Sequence, residues 1–301
     1  RADATLGGGY GIGAYGAGNY GTVRGDIDTA IPASVWSLDN WGENLVGVME
    51  KDGIIYEWRP NRGEIAKPIQ NAPKAAAILA TEQDILVALG ANGDPRLIKW
   101  SAQQNNTDWD ASANNAAGDW RLKTKGKSQT GRTTPNGFLV FTETDVHRAN
   151  YSGAQFVYGF EAISDVAALI SKHAAVKVDT GAMWMGPNAF WQYQGFVQPV
   201  PCDVSDYVFG DMNHVQRSKV YGFNNSAFGE VWWLYPSADS IECDRYVAYS
   251  YREDHWIYGD LARTAAMDSA PFEKPLMADA DGTIYTHETG QLRNGRKPYL
   301  V

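Results

Sequence analysis

Short runs that alternate apolar and polar residues recur along this chain, and turn residues follow each run. Six of these runs share a pattern of residue types: Tyr56-Glu57-Trp58, Ile98-Lys99-Trp100, His147-Arg148, Phe190-Trp191-Gln192-Tyr193, Arg245-Tyr246-Val247 and Ile284-Tyr285. The first residues of successive runs are 39 to 55 positions apart. Repeats of roughly 40–50 residues are typical of β-propeller blades with four strands each. The pattern therefore predicts an all-β fold, a six-bladed β-propeller, with another all-β arrangement as the alternative.

Each interval divides further into short strands. Residues 35–58 contain VWS, ENLVGVM and GIIYEW, and the Asp52-Gly53 turn between the last two is a strong hairpin signal. Residues 203–220 differ, because an Asp or Ser cap precedes a segment that predicts a helix. This insertion accounts for the longest interval. Strands do not alternate with long helices, so a parallel α/β sheet is not expected.

A Gly-rich tract at residues 7–21 has neither the helical period nor the strand period. Tyr10, Tyr15 and Tyr20 recur in it every five residues, with Gly between them. So Gly-rich a backbone loses too much entropy to hold one conformation by itself. We expect the tyrosines to pack on the chain's own propeller or on a neighbouring subunit. A flexible linker is the alternative.

The sequence predicts three parts. A Gly/Tyr-rich arm occupies residues 1–34, the propeller occupies residues 35–290, and an exit segment that continues into further β-structure occupies residues 291–301. A propeller has to close, and a strand from one end of the chain is expected to complete its last blade. Residues 22–31 and residues 296–301 are the two candidates for that strand.

Composition agrees with a large β-rich core. The chain has 301 residues, of which 44% are apolar, with 31 Gly, 16 Tyr and 11 Trp. Glycine supplies the turns between short strands, and Trp and Tyr favour half-buried pleated surfaces. The two cysteines, Cys202 and Cys243, do not have metal-ligand spacing, and whether they pair is left open. The sequence contains no run of 18 apolar residues, so it predicts no membrane span.

The formal net charge of −9 argues against a surface that grips phosphate. One small basic cluster stands out, formed by Arg121, Lys123, Lys125 and Lys127. These residues occupy every second position along the chain, which predicts a strand face or a solvated edge in preference to a nucleic-acid site.

Two short motifs suggest chemistry without completing it. Asp279, Asp281 and Gly282 begin a calcium loop, but position 12 of that loop is Gly290 and not Glu, and Asp-Gly is also an ordinary hairpin tip. The string Ser37-Leu38-Asp39-Asn40-Trp41-Gly42 faintly resembles the Asp-box turn of sialidase propellers. Its glycine is one place late and it does not recur in the other blades.

No residue is assigned a catalytic, cofactor-binding or metal-binding role. The histidines are too far apart in sequence to form a local metal pair: His147, His173, His214, His255 and His287. No G-x-S-x-G nucleophile elbow is present. We therefore expect that the chain is not an enzyme and needs no cofactor.

Several strings together resemble the tail nozzle or hub proteins of short-tailed bacteriophages. This family is similar to packaged-DNA-stabilisation proteins. The resemblance is carried by VWSLDNWGENLVGV, LIKWSAQQNNTDWD, NNAAGDWRL, FVYGFE, VFGDMNHVQRSKVYG, EVWWLYPS and DRYVAYSY. It covers residues 7 to about 290 and includes the Gly-Tyr-Gly repeats.

The resemblance implies a structural virion protein, assembled in the host cytoplasm and located in the tail. Such proteins form a ring, commonly sixfold, next to the portal or adaptor and other tail proteins. The genome is retained by the ring and ejected through its lumen. The acidic balance of this chain suits a wall along which DNA slides without specific binding. Lys and Arg contacts to phosphate slow the movement of DNA, and an acidic wall makes few of them.

Two other readings stay open from the residues alone. One is a polysaccharide-active propeller enzyme, for which two carboxyl groups about 5–10 Å apart in a cleft would be the sign. The other is a binding module for a host-surface glycan or protein, for which an aromatic-lined pocket on one propeller face would be the sign.

Overall fold

The computed structural model describes residues 5–8, 28–31, 33–153, 157–269 and 272–290 of the chain, with the backbone only for residues 5–8, residues 28–31 and Asn61. The strands β1 (Thr5–Gly8) and β2 (Asp28–Ile31) pair antiparallel. Apart from Ala33 and Ser34, the rest of the predicted arm, including Tyr10, Tyr15 and Tyr20, lies outside the described residues. The exit segment at residues 291–301 also lies outside them, so the predicted part boundaries stay predictions.

Six antiparallel sheets follow one another in chain order and surround a central channel, so the predicted six-bladed β-propeller is confirmed. Blade 1 consists of β3 (Trp36–Trp41), β4 (Asn44–Met49), β5 (Ile55–Trp58) and β6 (Lys67–Pro68). Blade 2 consists of β7 (Ala77–Ala80), β8 (Leu86–Leu89), β9 (Leu97–Trp100) and β10 (Gly118–Arg121). Blade 3 consists of β11 (Ser128–Thr134), β12 (Gly137–Thr142), β13 (Val146–Tyr151) and β14 (Tyr158–Ser164).

The second half of the ring repeats this order. Blade 4 consists of β15 (Ala175–Val178), β16 (Gly181–Met185), β17 (Phe190–Tyr193) and β18 (Val197–Val200). Blade 5 consists of β19 (Tyr221–Asn225), β20 (Glu230–Tyr235), β21 (Arg245–Ser250) and β22 (His255–Asp260). Blade 6 has three strands in the described residues, β23 (Ala265–Met267), β24 (Leu276–Ala278) and β25 (Ile284–Thr286).

The six sequence runs that predicted the repeat all fall in the third strand of a blade. These strands are β5, β9, β13, β17, β21 and β25. The third strand lies towards the outside of its blade, with a strand on each side in blades 1–5. Aromatic residues recur there because both of its faces are available to fill the widening space between neighbouring blades.

The helix predicted at residues 203–220 is present as two short helices. They are α1 (Ser205–Asp211) and a 3₁₀ helix at His214–Lys219. Met212 and Asn213 between them have extended backbone angles, and the Asn213 side chain accepts a hydrogen bond from the backbone N–H of Val215. An N-cap of this kind ends one helix and starts the next.

Apolar residues fill the spaces between blades 1 to 5 in three clusters. One cluster around Val46 and Ile78 joins blades 1 and 2, and one around Ile98 and Phe138 joins blades 2 and 3. The largest surrounds Trp184 and joins blades 3, 4 and 5. Among the described residues, none of the three clusters contains a residue of blade 6.

Blade 6 is held mainly by polar and aromatic contacts of its own. The Nε of Arg263 donates a hydrogen bond to Nε2 of His287 at 3.1 Å, and the guanidinium lies 3.8 Å from the centre of the Tyr285 ring. The Tyr285 hydroxyl donates to Oδ2 of Asp279 at 3.0 Å. Burial, and then the charge of Arg263, lowers the pKa of His287 to about 4.

Two glycines occupy the same place in blades 3 and 4. Gly137 and Gly181 are the first residues of β12 and β16, with φ of +146° and +154°. A Cβ would lie 2.0 Å from the carbonyl oxygen of Ala149 at Gly137 and 1.9 Å from that of Tyr193 at Gly181. Only glycine fits where the chain turns this closely past a third strand.

We predict that Gly181→Ala lowers the free energy of unfolding by about 2 kcal/mol or more, because the new methyl group overlaps a backbone oxygen and φ is strained. The matched control is Gly159→Ala in β14, where nothing lies within 4 Å of the added Cβ. That control is expected to change stability by less than about 1 kcal/mol. Urea unfolding of both variants checks this, and equal unfolding midpoints would contradict it.

We also predict a pH dependence that comes from His287. Its pKa is depressed in the folded state, so the folded form binds fewer protons than the unfolded form between pH 6.5 and about 4. The contribution of His287 is therefore present above pH 6.5 and lost as the pH falls towards 4. His287→Gln should reduce the loss of blade 6 protection between pH 7 and pH 5, measured by hydrogen exchange of residues 263–287.

His255→Gln is the control for that measurement, because His255 lies on the surface of blade 5, 46% exposed. It should leave the difference between pH 7 and pH 5 as it is in the parent chain. The same pH response in the parent chain and in His287→Gln would show that another group carries it.

Candidate functional site

The six innermost strands enclose a cavity of about 560 Å³ in the central channel. Every blade contributes to its wall, through Trp36, Ile78, Arg132, His173, Tyr221 and Ala265. The wall is partly apolar, because Trp36, Leu38 and Leu79 line it, and partly charged, because Asp39, Arg132 and Lys172 line it as well.

Arg132 lies in β11, whose sequence SQTGRTT contains no large apolar residue. Its Nε donates to the carbonyl oxygen of Ala175 at 2.7 Å. Its Nη1 donates to the Thr130 hydroxyl at 3.0 Å and to the Gly131 carbonyl at 2.7 Å. These bonds hold the guanidinium against blade 4, and they leave Nη2 without a partner in the described residues.

No carboxylate of the described residues lies within ion-pair distance of Arg132; the arginine ion pairs there belong to other side chains. Asp39 is the carboxylate whose charge acts on the pKa of Arg132. Burial lowers the pKa of Arg132, and the charges of Tyr221 and Asp39 oppose that shift.

Asp39 uses its own oxygens elsewhere. Its carboxylate accepts hydrogen bonds from the backbone N–H of Asn40 at 2.8 Å and of Ala80 at 2.7 Å. Burial raises the pKa of Asp39, while these two N–H groups and the charges of Arg132 and Lys177 act in the opposite direction. Asp39 therefore ties blade 1 to blade 2 and does not neutralise Arg132 by direct contact.

Two lysines of blade 4 reach across the channel at opposite ends. Lys172 is buried just before β15, and its Nζ donates to the Ala76 carbonyl at 2.6 Å and pairs with Glu50 at 2.8 Å. Lys177 in β15 donates to the Thr133 hydroxyl at 3.0 Å and pairs with Glu82 at 3.3 Å. Burial lowers the pKa of Lys172, although Glu50 opposes the shift. Together the lysines join blade 4 to blades 1, 2 and 3.

A second cavity of about 680 Å³ opens at the channel mouth where the innermost strands end. Its charged and amide side chains come from blades 3 to 6, namely Arg132, Lys177, Asp179, Asn224 and Asp268. Arg132 and Thr133 line both cavities. Arg132 therefore lies between the mouth and the channel.

One face of blade 1 is left partly uncovered by the described residues. Leu38, Tyr56, Leu45 and Trp58 share this face, because Leu38 and Tyr56 both oppose Gly47 and Leu45 opposes Trp58. Trp36 lies with them, its ring 6.4 Å from that of Tyr56. Trp36 is 45% exposed, Leu38 57% and Trp58 42%. We call these five residues the open face of blade 1.

Blade 6, the neighbour of blade 1 in the ring, has an exposed apolar face too. Met267 is 43% exposed and Ile284 69% exposed, whereas Met277 on the other face of the same sheet is buried. The described residues of blades 6 and 1 thus do not bury each other as neighbouring blades do from blade 1 to blade 5.

The motifs that the sequence suggested have structural roles. The Ser37 hydroxyl donates to the Ile78 carbonyl at 3.3 Å and accepts from the Ile78 N–H at 3.1 Å, so Ser37 and Asp39 tie β3 to β7. Asp279 accepts the backbone N–H groups of Asp281 and Thr283, as at a hairpin tip. The described residues contain no group of three side chains suited to a metal ion.

The structure does not bring the five histidines together. His147 lies near Asp145, His173 stacks on Tyr221, His214 contacts the Phe209 carbonyl, His255 pairs with Glu253, and His287 accepts from Arg263. Cys202 and Cys243 do not form a disulfide with each other. The basic cluster begins at the end of β10, where Arg121 pairs with Asp94 at 3.0 Å, and its three lysines lie exposed on the connection to blade 3, which is not a strand.

Sequence reasoning missed the channel residues Arg132, Lys172 and Lys177. One signal was available for Arg132. A strand of seven residues without a large apolar side chain, followed by the apolar strand GFLVFT, indicates that the first strand faces a solvent-filled space. No comparable signal marks the two lysines, because each lies beside its partners only after the ring has formed.

No protein-family model and no curated protein matches the chain. Solved structures with a similar fold include virginiamycin B lyase from Staphylococcus aureus, 8% identical, with a TM-score of 0.52 over 85% of this chain and 84% of that one. A streptogramin B lyase is 10% identical, with a TM-score of 0.50 over 85% of this chain and 83% of that one. At such identities the likeness shows the fold alone.

These comparisons correct one expectation. Both proteins are lyases, so a chain of this fold can be an enzyme, and the expectation that this chain is not an enzyme is wrong. Neither is named as a phage protein, so the resemblance to tail nozzle proteins stays a prediction. The described residues contain no helix long and apolar enough to cross a membrane.

We predict that the two cross-channel lysines differ in their effect on stability. Lys172→Ala should lower the free energy of unfolding by about 1–3 kcal/mol, because it leaves the Ala76 carbonyl unpaired and opens a gap between blades. Lys177→Ala is the control; its side chain is half exposed, so its loss should change stability by less than about 1 kcal/mol. Urea unfolding measures the free energy of unfolding of both variants. A larger loss of stability in Lys177→Ala than in Lys172→Ala would contradict the prediction.

Proposed function

We propose that this chain is a subunit of a ring of identical copies, of the phage tail nozzle type, through whose lumen a genome is retained and ejected. The observation that supports it most is the open face of blade 1. Uncovered apolar patches of this kind on folded proteins mark surfaces that another protein covers.

The position of the open face suits a ring. In the proposed ring, a neighbouring copy packs on it with a different part of its own surface. Contacts between two different surfaces generate rings when the rotation closes. The expected stoichiometry of about six comes from the resemblance to nozzle proteins.

The charge of the chain supports the part of the proposal in which a genome passes through the lumen. A net charge of −9 gives each copy an acidic surface, and the basic cluster at residues 121–127 is interrupted by buried residues and partly paired. DNA in a lumen with such walls is repelled and not gripped, so it can move through. The neighbours in the tail would be the portal or adaptor and other tail proteins.

The propeller's own channel does not serve as that lumen. Lys172 and Lys177 reach across its two ends, and Arg132 lies between them. The lumen of the proposed assembly is the space enclosed by the copies. The polysaccharide-active enzyme and the surface-binding module remain compatible with the fold.

The proposal predicts a native mass of about six copies of the 33.1 kDa chain, measured by light scattering at micromolar concentration. Trp58→Ser should shift the distribution towards smaller species, because it removes apolar area from the open face. A stable monomer in the parent chain would contradict the proposal.

Trp120→Ser is the matched control for that variant. Trp120 is 45% exposed, close to the 42% of Trp58, but it stacks on Phe160 of its own chain with centroids 5.7 Å apart. It should leave the native mass unchanged. An equal loss of assembly in the two variants would mean that the open face has no special part in it.

A further inference from the structure

The central channel contains a cation, Arg132, for which the described residues supply no ion-pair partner. Charged groups inside proteins are normally paired with an opposite charge. Arg132 lines the channel cavity without a carboxylate within ion-pair distance in the described residues. The carboxylate oxygens of Asp39 accept hydrogen bonds from the backbone N–H groups of Asn40 and Ala80 instead. An anion that comes from outside the chain would complete the arrangement.

The free edge of Arg132 is accessible. Nε and Nη1 make three hydrogen bonds to Ala175, Thr130 and Gly131, which fix the plane of the guanidinium. Nη2 has no partner in the described residues, and the Arg132 side chain is half-buried at the wall of the cavity. A group that is fixed on one edge and open on the other is preorganised to bind a ligand.

The cavity has the size and lining of a small-molecule site. Its volume of about 560 Å³ lies within the range of roughly 300–1,000 Å³ that ligand pockets show. Trp36, Leu38 and Leu79 supply apolar surface in the same cavity as Arg132. The wider mouth shares Arg132 and Thr133 with the channel and gives a route of access.

The other charged groups around the cavity limit the charge of the ligand. Lys172 already pairs with Glu50, and Lys177 with Glu82, so only one cationic edge is free. Asp39 faces the same space and disfavours a second negative charge. A single carboxylate matches one guanidinium edge, whereas phosphate as a dianion needs more donors.

We infer that the channel binds a small monocarboxylate with an apolar body, its carboxylate on Nη2 of Arg132 and its body against Trp36, Leu38 and Leu79. The inference does not rest on the ring proposed above, because a single copy of the chain contains every residue of the site. Trp36 and Leu38 also belong to the open face of blade 1, so a copy packed on that face competes with the ligand for them.

Isothermal titration calorimetry of the full chain with benzoate and hexanoate tests the inference, with benzamide and hexanamide as neutral probes of the same shape. At least one carboxylate should bind with Kd below about 1 mM, and its amide should bind at least about tenfold more weakly, since the amide has no charge for Arg132. Absence of carboxylate binding, equal binding of the amide, or binding of inorganic phosphate alone would overturn the inference.

Variants locate the site. Arg132→Gln should weaken carboxylate binding at least about tenfold, because it removes the charge. Arg252→Gln is the matched control, since Arg252 also donates to backbone carbonyls, those of Ala227 and Ser226, but does not line either cavity. Binding that survives in Arg132→Gln, or an equal loss in Arg252→Gln, would contradict the site.

A second variant keeps the test decisive if Arg132→Gln does not fold. Ala265→Phe adds bulk to the channel wall from blade 6 without replacing Arg132 or any residue of the open face of blade 1. It should also weaken carboxylate binding at least about tenfold, because the apolar body of the ligand loses its space. Undiminished binding in Ala265→Phe would place the ligand outside the channel and overturn the inference.

Discussion

A blade of a propeller is a sheet with two faces, and both faces must be covered. In this chain the cover comes from apolar clusters between blades 1 to 5, where Val46, Phe138 and Trp184 are completely buried. This packing between neighbours fixes the radius of the ring and places the innermost strands around the channel. Within the described part of the chain that requirement is not met between blades 6 and 1, where Trp36, Leu38 and Ile284 remain exposed. The fold, the channel and the open face of blade 1 follow from how that one constraint is satisfied around the ring.

The channel is polar for a related reason. The innermost strands are crowded around the axis, and a wall made only of large apolar side chains would leave backbone carbonyls such as those of Ala76 and Ala175 without donors. Lys172 and Arg132 supply those donors from neighbouring or opposite blades. Lys172 pairs with Glu50, whereas Arg132 has no carboxylate within ion-pair distance in the described residues. Stabilisation of the ring and the capacity to bind an anion thus come from the same side chains, as is common where polar groups are buried.

The sequence predicted the repeat correctly because the third strand of each blade has a local signature. Tyr56 to Trp58 and Ile98 to Trp100 are short strings whose pattern survives without any knowledge of their neighbours. The helix at residues 203–220 was predicted from an N-terminal cap, but its division at Met212 and Asn213 depends on a second cap inside it. Arg132 and Lys172 could not be assigned a role, because their partners lie 43 and 96 residues away along the chain. Contacts between blades exist only in the closed ring, and periodicity carries no information about them.

The central claim is that another copy of the chain covers the open face of blade 1. Hydroxyl-radical footprinting of the native particle, read by mass spectrometry at Trp36, Trp58 and Trp120, tests it most directly. The account predicts that Trp36 and Trp58 are protected at concentrations where the particle is assembled and become labelled on dilution, while Trp120 is labelled in both states. Equal labelling of Trp36 and Trp58 at both concentrations would contradict it.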